Sequence, residues 1–196
     1  MFAMDWPSVA LAAFLGVGLA ASTGLNTWLP LLLLSAAARL HLGGIHLSGS
    51  FAWLESNVAL AVLLVATLIE VIADKVPAVD HFLHGIATFV RPLAAALAVA
   101  AAFTKLDPVP AAIIGLMIGT PAALGMHSIK AATRAGSSMT TLGCANPILS
   151  IIEDAISFAL STISILMPLL VPIAIALVIV MGLWFVRKVQ VSEIEN

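Results

Sequence analysis

Long apolar runs separated by short polar breaks make up most of the chain. They predict seven membrane-crossing helices at residues 6–22, 27–40, 57–75, 91–103, 109–134, 146–166 and 168–186. Because a helix needs about 20 apolar residues to cross a bilayer, the second and fourth are expected to be short or broken. The pattern therefore predicts an all-α, polytopic helical membrane protein. It has a single transmembrane domain over residues 1–188 and a polar C-terminal tail over 189–196.

Two of the polar breaks resemble each other. The breaks at residues 22–26 and 135–145 each lead into a helix through an asparagine, Asn26 or Asn146, with a proline close behind. Such an asparagine is either a simple N-cap or part of a half-helix end whose free N–H groups bind an anion or a polar headgroup. Both interpretations stay open. The similarity also predicts an internal repeat, a common plan in transporters.

Composition narrows the class of protein. The chain is 62% hydrophobic and 9% charged, whereas soluble domains carry about 25% charged residues, so an integral membrane protein is expected. A net charge of −2 gives no basic surface for nucleic acid. The single cysteine, Cys144, cannot form an internal disulfide or, alone, a thiolate metal site. No nucleophile triad, phosphate loop or dinucleotide fingerprint is present, so we expect neither enzymatic activity nor a cofactor.

The basic residues predict an orientation in the membrane. With seven crossings and a cytoplasmic C-terminus, six of the eight Lys and Arg residues fall inside, and only Arg39 and Lys105 fall outside. This is the positive-inside distribution. It predicts a multi-pass protein of the bacterial inner membrane whose N-terminus is outside.

Half of the charged residues lie in two short blocks within or beside apolar runs. The blocks are Glu70, Asp74, Lys75, Asp80 and Arg91, and Lys130, Arg134, Glu153 and Asp154. A charge in lipid is unfavourable by about 2.5–3.5 kcal/mol even on mild scales, so such groups usually face one another or a wet cavity. Both blocks and both breaks fall on the predicted cytoplasmic side. We therefore expect them to converge on one buried site.

Spacing within the blocks suggests a role for each group. Glu70 and Asp74 are four residues apart and share a helix face. Glu70 lies one turn deeper, where protonation would neutralise it, and is the first choice for proton coupling or ion binding. For Asp74, an ion pair with Lys130 or Arg134 is favoured over a binding role. Those two cations also share a face and repel each other, so an acid of either block, a lipid phosphate or an anionic substrate is expected opposite them.

Further acidic and histidine residues leave alternatives open. Asp80 and His84 have the helical spacing of a divalent metal site, although a hydrogen-bonded interfacial cluster is favoured. His127 is interpreted as a packing histidine in preference to a proton carrier. One of Glu153 and Asp154 is expected to face the basic pair of the fifth helix, and the other to be available for protonation.

Several motifs resemble those of one family in their order along the chain. They are Glu70-x3-Asp74-Lys75-x-Pro77-x2-Asp80 with Thr88-x2-Arg91-Pro92, Gly24-Leu25-Asn26-x3-Pro30, His127-x2-Lys130-x3-Arg134, and Asn146-Pro147-x2-Ser150-x2-Glu153-Asp154. Together they make the chain similar to an uncharacterised bacterial integral-membrane family, the domain of unknown function 4126. The resemblance supports the helical fold and the choice of residues but implies no substrate. His84 stands where a second acid is expected, which argues against a carboxylate-only metal site and leaves a mixed Asp/His site open.

Three functions compete on these grounds. The first is a small secondary transporter or channel in which a solute or proton rearranges the buried acid/base network. The alternative is a non-transporting scaffold or lipid-associated subunit whose internal ion pairs fix the helix register. The third is a divalent-cation carrier that uses Glu70, Asp74, Asp80 and His84. Expected partners are membrane lipids and a small solute or ion. A second copy of the chain could pack on the small-residue face of Gly115 and Gly119, unless that face serves only the bundle.

Overall fold

The computed structural model describes residues 6–47 and 49–194, with the side chains of all of these except 77–84 and 188–194. Within this part of the chain the fold is helical without strands, which confirms the predicted all-α class. The α-helices are α1 (Trp6–Thr23), α2 (Leu29–Arg39), α3 (Asn57–Ala73), α4 (Pro77–Ala102), α5 (Pro108–Ile114), α6 (Thr120–Thr141), α7 (Asn146–Leu166) and α8 (Val171–Ile194). Short 3-10 turns at Leu42–Gly44, Gly49–Glu55 and Pro168–Leu170 join some of them.

Fewer helices are long and apolar enough to cross a membrane unaided than the seven runs that the sequence predicts. Within the described residues, five helical segments meet both conditions, and a sixth is formed if Gly49–Glu55 and α3, bent by 64°, count as one span. A count of seven is reached only when the short apolar helix α2 is included. Helix α2 has 11 residues, about 16 Å at 1.5 Å per residue, roughly half of the 30 Å hydrocarbon core. It is short because it begins at a break that is buried within the protein.

Helix α4 is the central element of the bundle. Its alanine-rich half packs against α1 in two apolar clusters, one containing Leu19 with Ala98 and the other Ala20 with Val99. The predicted start of the fourth helix at residue 91 is wrong, because α4 begins at Pro77 and continues through Pro92. A proline inside a membrane helix is tolerated when neighbouring helices satisfy the freed backbone groups.

Helices α5 and α6 are joined by a π-helical turn at Gly115–Gly119, directly before Pro121. A proline inside a helix disrupts the local hydrogen bonds, and a π turn is one of the known irregularities that accompany such a disruption. Both glycines are buried against the backbone of α4, where a Cβ on Gly119 would lie 2.7 Å from the carbonyl oxygen of Ala95. The small-residue face therefore serves contacts within the chain.

Two boundaries differ from the predicted ones. Helix α6 continues to Thr141, so the second break is limited to residues 142–145. Helix α8 continues to Ile194, through the segment predicted as a polar tail. The first break is buried, whereas Thr141, Leu142 and Cys144 at the second are exposed.

Candidate functional site

The break between α1 and α2 brings backbone and side-chain donors to Glu70 of α3. The Thr27 amide donates to both carboxylate oxygens, at 3.0 and 2.9 Å, and the Thr27 hydroxyl donates to Oε1 at 2.7 Å. Nη2 of Arg91 completes the set at 3.2 Å from Oε1. Glu70 is only 8% exposed. In all of these hydrogen bonds Glu70 is the acceptor. This arrangement suits a carboxylate group, which only accepts hydrogen bonds when it is ionised.

Arg91 of α4 binds three elements at once. Its Nε donates to the Thr27 hydroxyl at 3.2 Å, and its Nη1 donates to the carbonyl of Gly24 at 3.0 Å. The same Nη1 lies 2.5 Å from Nδ1 of His127. Because a guanidinium only donates, Nδ1 accepts and the ring proton is on Nε2, which faces the hydroxyl of Thr88 at 3.4 Å. His127 is thus a hydrogen-bonded partner of Arg91, as a packing histidine would be.

Lys130 and Arg134 of α6 lie between two carboxylates. Oδ2 of Asp74 is 2.9 Å from Lys130 Nζ and 3.2 Å from Arg134 Nη2. On the other side, Oε2 of Glu153 is 3.3 Å from Lys130 Nζ and 2.7 Å from Arg134 Nη2. Lys130 also donates to the carbonyl of Leu25 in the first break at 2.8 Å. The anionic groups predicted opposite the two cations are therefore Asp74 and Glu153.

Asp154 extends the network in another direction. Its Oδ1 accepts from Nδ2 of Asn26 at 2.9 Å, and its Oδ2 is 3.6 Å from Nζ of Lys75. Oδ1 of Asn26 accepts from the amide of Leu29 at 3.0 Å. Asn26 thus binds an amide of the first turn of α2, although the N-cap position itself is Trp28. Its other amide atom binds an acid of α7.

Ten of the predicted site residues come together in this arrangement. They are Asn26, Glu70, Asp74, Lys75, Arg91, His127, Lys130, Arg134, Glu153 and Asp154. The set contains four carboxylates and four Lys or Arg side chains, so these charges balance. The helices that carry them are far apart in sequence, and we call the set the ion-pair network.

Three predicted residues are not part of the described network. Asn146 lies at the start of α7, where its Nδ2 donates to the hydroxyl of Ser138 at 3.0 Å. It is eight residues, about 12 Å along the helix axis, from Asp154. The side chains of Asp80 and His84 lie outside the described residues, and so does the metal site predicted there. Among the residues that are described, no group of three or more His, Cys, Asp or Glu could hold a metal ion.

Two cavities adjoin the network. One, of about 310 Å³, lies among the first break, α3 and α4 and is lined by Glu70, Asp74 and Arg91 together with mostly apolar side chains. The other, of about 320 Å³, lies among α6, α7 and α8 and reaches Lys130 and Glu153. The ion pair between Lys130 and Asp74 therefore lies between the two spaces.

Sequence reasoning missed polar groups that support the network. Thr27 is not among the predicted site residues, although it binds both members of the Glu70–Arg91 pair. On α7, Ser157 donates to the carbonyl of Ser22 at 3.0 Å and Ser161 to its hydroxyl at 2.8 Å. The available signal was the spacing of the α7 serines, which recur on one face of an otherwise apolar helix.

A comparison with known families matches residues 13–188 to the family described as domain of unknown function (DUF4126). The match covers every helix of the network, and the chain belongs to this family. No curated protein and no solved structure matches the chain.

Proposed function

We propose that the protein is a small secondary transporter or channel whose solute or ion binds at the Glu70–Arg91 pair. The observation that carries the proposal is the cavity of about 310 Å³ among the first break, α3 and α4. It presents charged groups of both signs within apolar walls that include Ile69 and Ile86. Membrane pathways for polar solutes have this character, because a charge is retained in lipid-embedded helices mainly where it contacts a partner or a wet cavity.

The second cavity gives the proposal a mechanism. Asp74 lines the first cavity and Lys130 lines the second, and the two groups are 2.9 Å apart. A solute that competes for one of these charges would weaken the contact that separates the two spaces. Broken helices at the site, here the end of α1 and the start of α2, are common where transporters bind their substrates.

The test is flux through purified protein in lipid vesicles. Radioactive sodium, rubidium and phosphate serve as probes, together with a trapped pH-sensitive dye for protons. Wild-type protein is expected to raise the flux of at least one probe above that of protein-free vesicles. Glu70→Gln and Lys130→Ala are expected to reduce it to that background, because each removes one charge of the network.

Matched controls are available on the exposed turn between α4 and α5. Asp107→Asn and Lys105→Ala remove the same kinds of charge from exposed positions and are expected to leave flux unchanged. Size-exclusion chromatography of every variant separates lost transport from lost folding. Unchanged flux in both folded network variants would contradict the proposal.

A second candidate is a non-transporting scaffold. One observation favours it: the network's four carboxylates and four cations balance, and its acids are already ion-paired. Such pairs can fix helix register without binding anything. Co-purification of a stable partner, with a thermal stability that none of the flux probes alters, would favour this function over transport.

The proposal also includes a location. With the seven crossings that the sequence predicts and a cytoplasmic C-terminus, six of the eight basic residues of the chain fall on one side, and such an excess marks the cytoplasmic side. We infer a bacterial inner-membrane protein with its N-terminus outside. The network then lies nearer to the cytoplasmic surface.

A further inference from the structure

One face of α7 carries three buried oxygen atoms that have no hydrogen-bond partner among the described residues. They are Oδ1 of Asn146, Oγ of Ser150 and Oδ2 of Asp154. The residues are spaced by four, so they follow one another along the helix. Buried polar atoms are hydrogen-bonded in the great majority of cases, and an exception calls for an unseen partner such as water or an ion.

Farther along the same face of α7, the buried serines do have hydrogen-bond partners. Ser157 and Ser161 are as completely buried as Ser150, at 0% exposure. Both donate to Ser22 of α1. The oxygens without a hydrogen-bond partner are therefore confined to the stretch of α7 from its first residue, Asn146, to Asp154 of the ion-pair network.

Water matches the geometry of this stretch. Side chains four residues apart on a helix are about 5–6 Å apart at Cβ, and a water molecule with two hydrogen bonds of about 2.8 Å bridges such a gap. All three atoms accept hydrogen bonds, and water donates two. Oδ2 of Asp154 is also 3.6 Å from Nζ of Lys75, a separation beyond a direct hydrogen bond at which a bridging water is expected.

The stretch has an opening at its outer end. Asn146 is half-buried beside the exposed Ser138. Its inner end is Asp154, which holds Asn26 of the first break. The side chain of Lys75, on the far side of Asp154, is 34% exposed.

We propose that a file of water molecules runs along α7 from Asn146 past Ser150 to Asp154 and gives the ion-pair network access to the aqueous phase. The file ends where Ser157 bonds to the backbone of α1. This inference goes beyond the proposed function, since it requires water at the network and no transported solute. A hydrated path of this kind would let protons reach Asp154.

The test compares two serines that are equally buried but differ in their partners. In a Cys144→Ser background, Ser150→Cys and Ser157→Cys are exposed to silver ions, which are small enough to follow water. The protein is then denatured and the remaining thiols are counted with a maleimide. Because the reactive thiolate forms where water reaches the sulfur, Ser150→Cys should react at least about tenfold faster. Equal rates, or no reaction at either position, would overturn the proposal.

Two further variants keep the test decisive if a cysteine perturbs folding. Ser150→Ala should lower the thermal unfolding midpoint as Ser157→Ala does, because each removes a hydroxyl with a partner. A midpoint that stays the same or rises with Ser150→Ala would show that its oxygen had none and would overturn the proposal. Asn146→Leu, added to Ser150→Cys, should slow the silver reaction by closing the opening. A reactive Ser150→Cys in a protein without flux would remove the transport proposal and leave the water file standing.

Discussion

At the scale of single residues, Thr27 holds the first charged pair together. Its hydroxyl donates to Glu70 and accepts from Arg91, while its amide donates to both oxygens of the same carboxylate. Backbone placement at the buried break is what makes this possible, because the amide is free of a helix at that point. A buried carboxylate that loses one of its hydrogen-bond donors destabilises the fold, because its desolvation is no longer offset by that hydrogen bond.

Thr27→Val, which keeps the shape and removes the hydroxyl, should therefore lower the free energy of unfolding by about 1–3 kcal/mol. The matched control is Thr162→Val on α7, whose hydroxyl bonds only to the carbonyl of Phe158 within the same helix. Its expected effect is well under that of Thr27→Val. Chemical unfolding in detergent micelles measures both. Equal effects of the two substitutions would mean that Thr27 contributes nothing special to the charged pair.

At the scale of elements, close helix contacts depend on glycines in the first break and in the π turn. A methyl group on Gly24 would come within 2.6 Å of the Cβ of Met126, so the first break can approach α6 only without a side chain there. Gly119 allows the same approach between the π turn and α4. These contacts pack the first break and α4 closely against the segment that continues into α6.

Gly119→Ala should destabilise the protein by about 1–3 kcal/mol, because the added methyl group meets the rigid backbone of α4. Gly125→Ala, in α6 shortly after the π turn, is the matched control. No atom lies within 4 Å of a Cβ built at Gly125. That control should be neutral or stabilising, because alanine favours the helix over glycine by about 0.5–1 kcal/mol. Thermal unfolding of both variants gives the comparison, and a tolerated Gly119→Ala would contradict the packing argument.

At the scale of the whole molecule, the ion-pair network joins elements from both halves of the chain. The first break, α3, α4, α6 and α7 each contribute at least one polar group. By contrast, only 6% of the apolar stretch Pro168–Arg187, which includes most of α8, is buried. A helix this apolar and this exposed is suited to lipid contact, so α8 is expected at the lipid-facing periphery of the bundle.

The orientation of the whole molecule is testable through its single cysteine. Cys144 is exposed in the turn between α6 and α7, on the proposed cytoplasmic side. A membrane-impermeant maleimide should label it in inverted vesicles and leave it unlabelled in intact spheroplasts. Lys105→Cys in a Cys144→Ser background, on the turn between α4 and α5, should show the opposite pattern. Labelling of Cys144 from outside would reverse the proposed orientation.

Local rules predicted some of these features and missed others for identifiable reasons. The repulsion of Lys130 and Arg134 on one helix face predicted an anionic group opposite them, whether an acid, a lipid phosphate or an anionic substrate. It could not select Asp74 and Glu153, because that choice depends on how α3 and α7 pack. The sequence predicts a helix start at Arg91-Pro92, yet α4 is continuous through Pro92 within the surrounding bundle. Tertiary packing outweighs local propensity at such positions.

The amino-acid sequence by itself determined the membrane-embedded class, the helical fold and the identity of the charged residues, because composition and hydrophobic runs are properties of the chain alone. The tertiary structure decided which charges pair. Thr27 binds Glu70 across 43 residues and Asn26 binds Asp154 across 128. No local spacing encodes such contacts, since they form only when the buried break between α1 and α2 is enclosed by the other helices. The oxygens of α7 that lack a hydrogen-bond partner can likewise be identified only from the folded structure, because burial is not a property of the sequence alone.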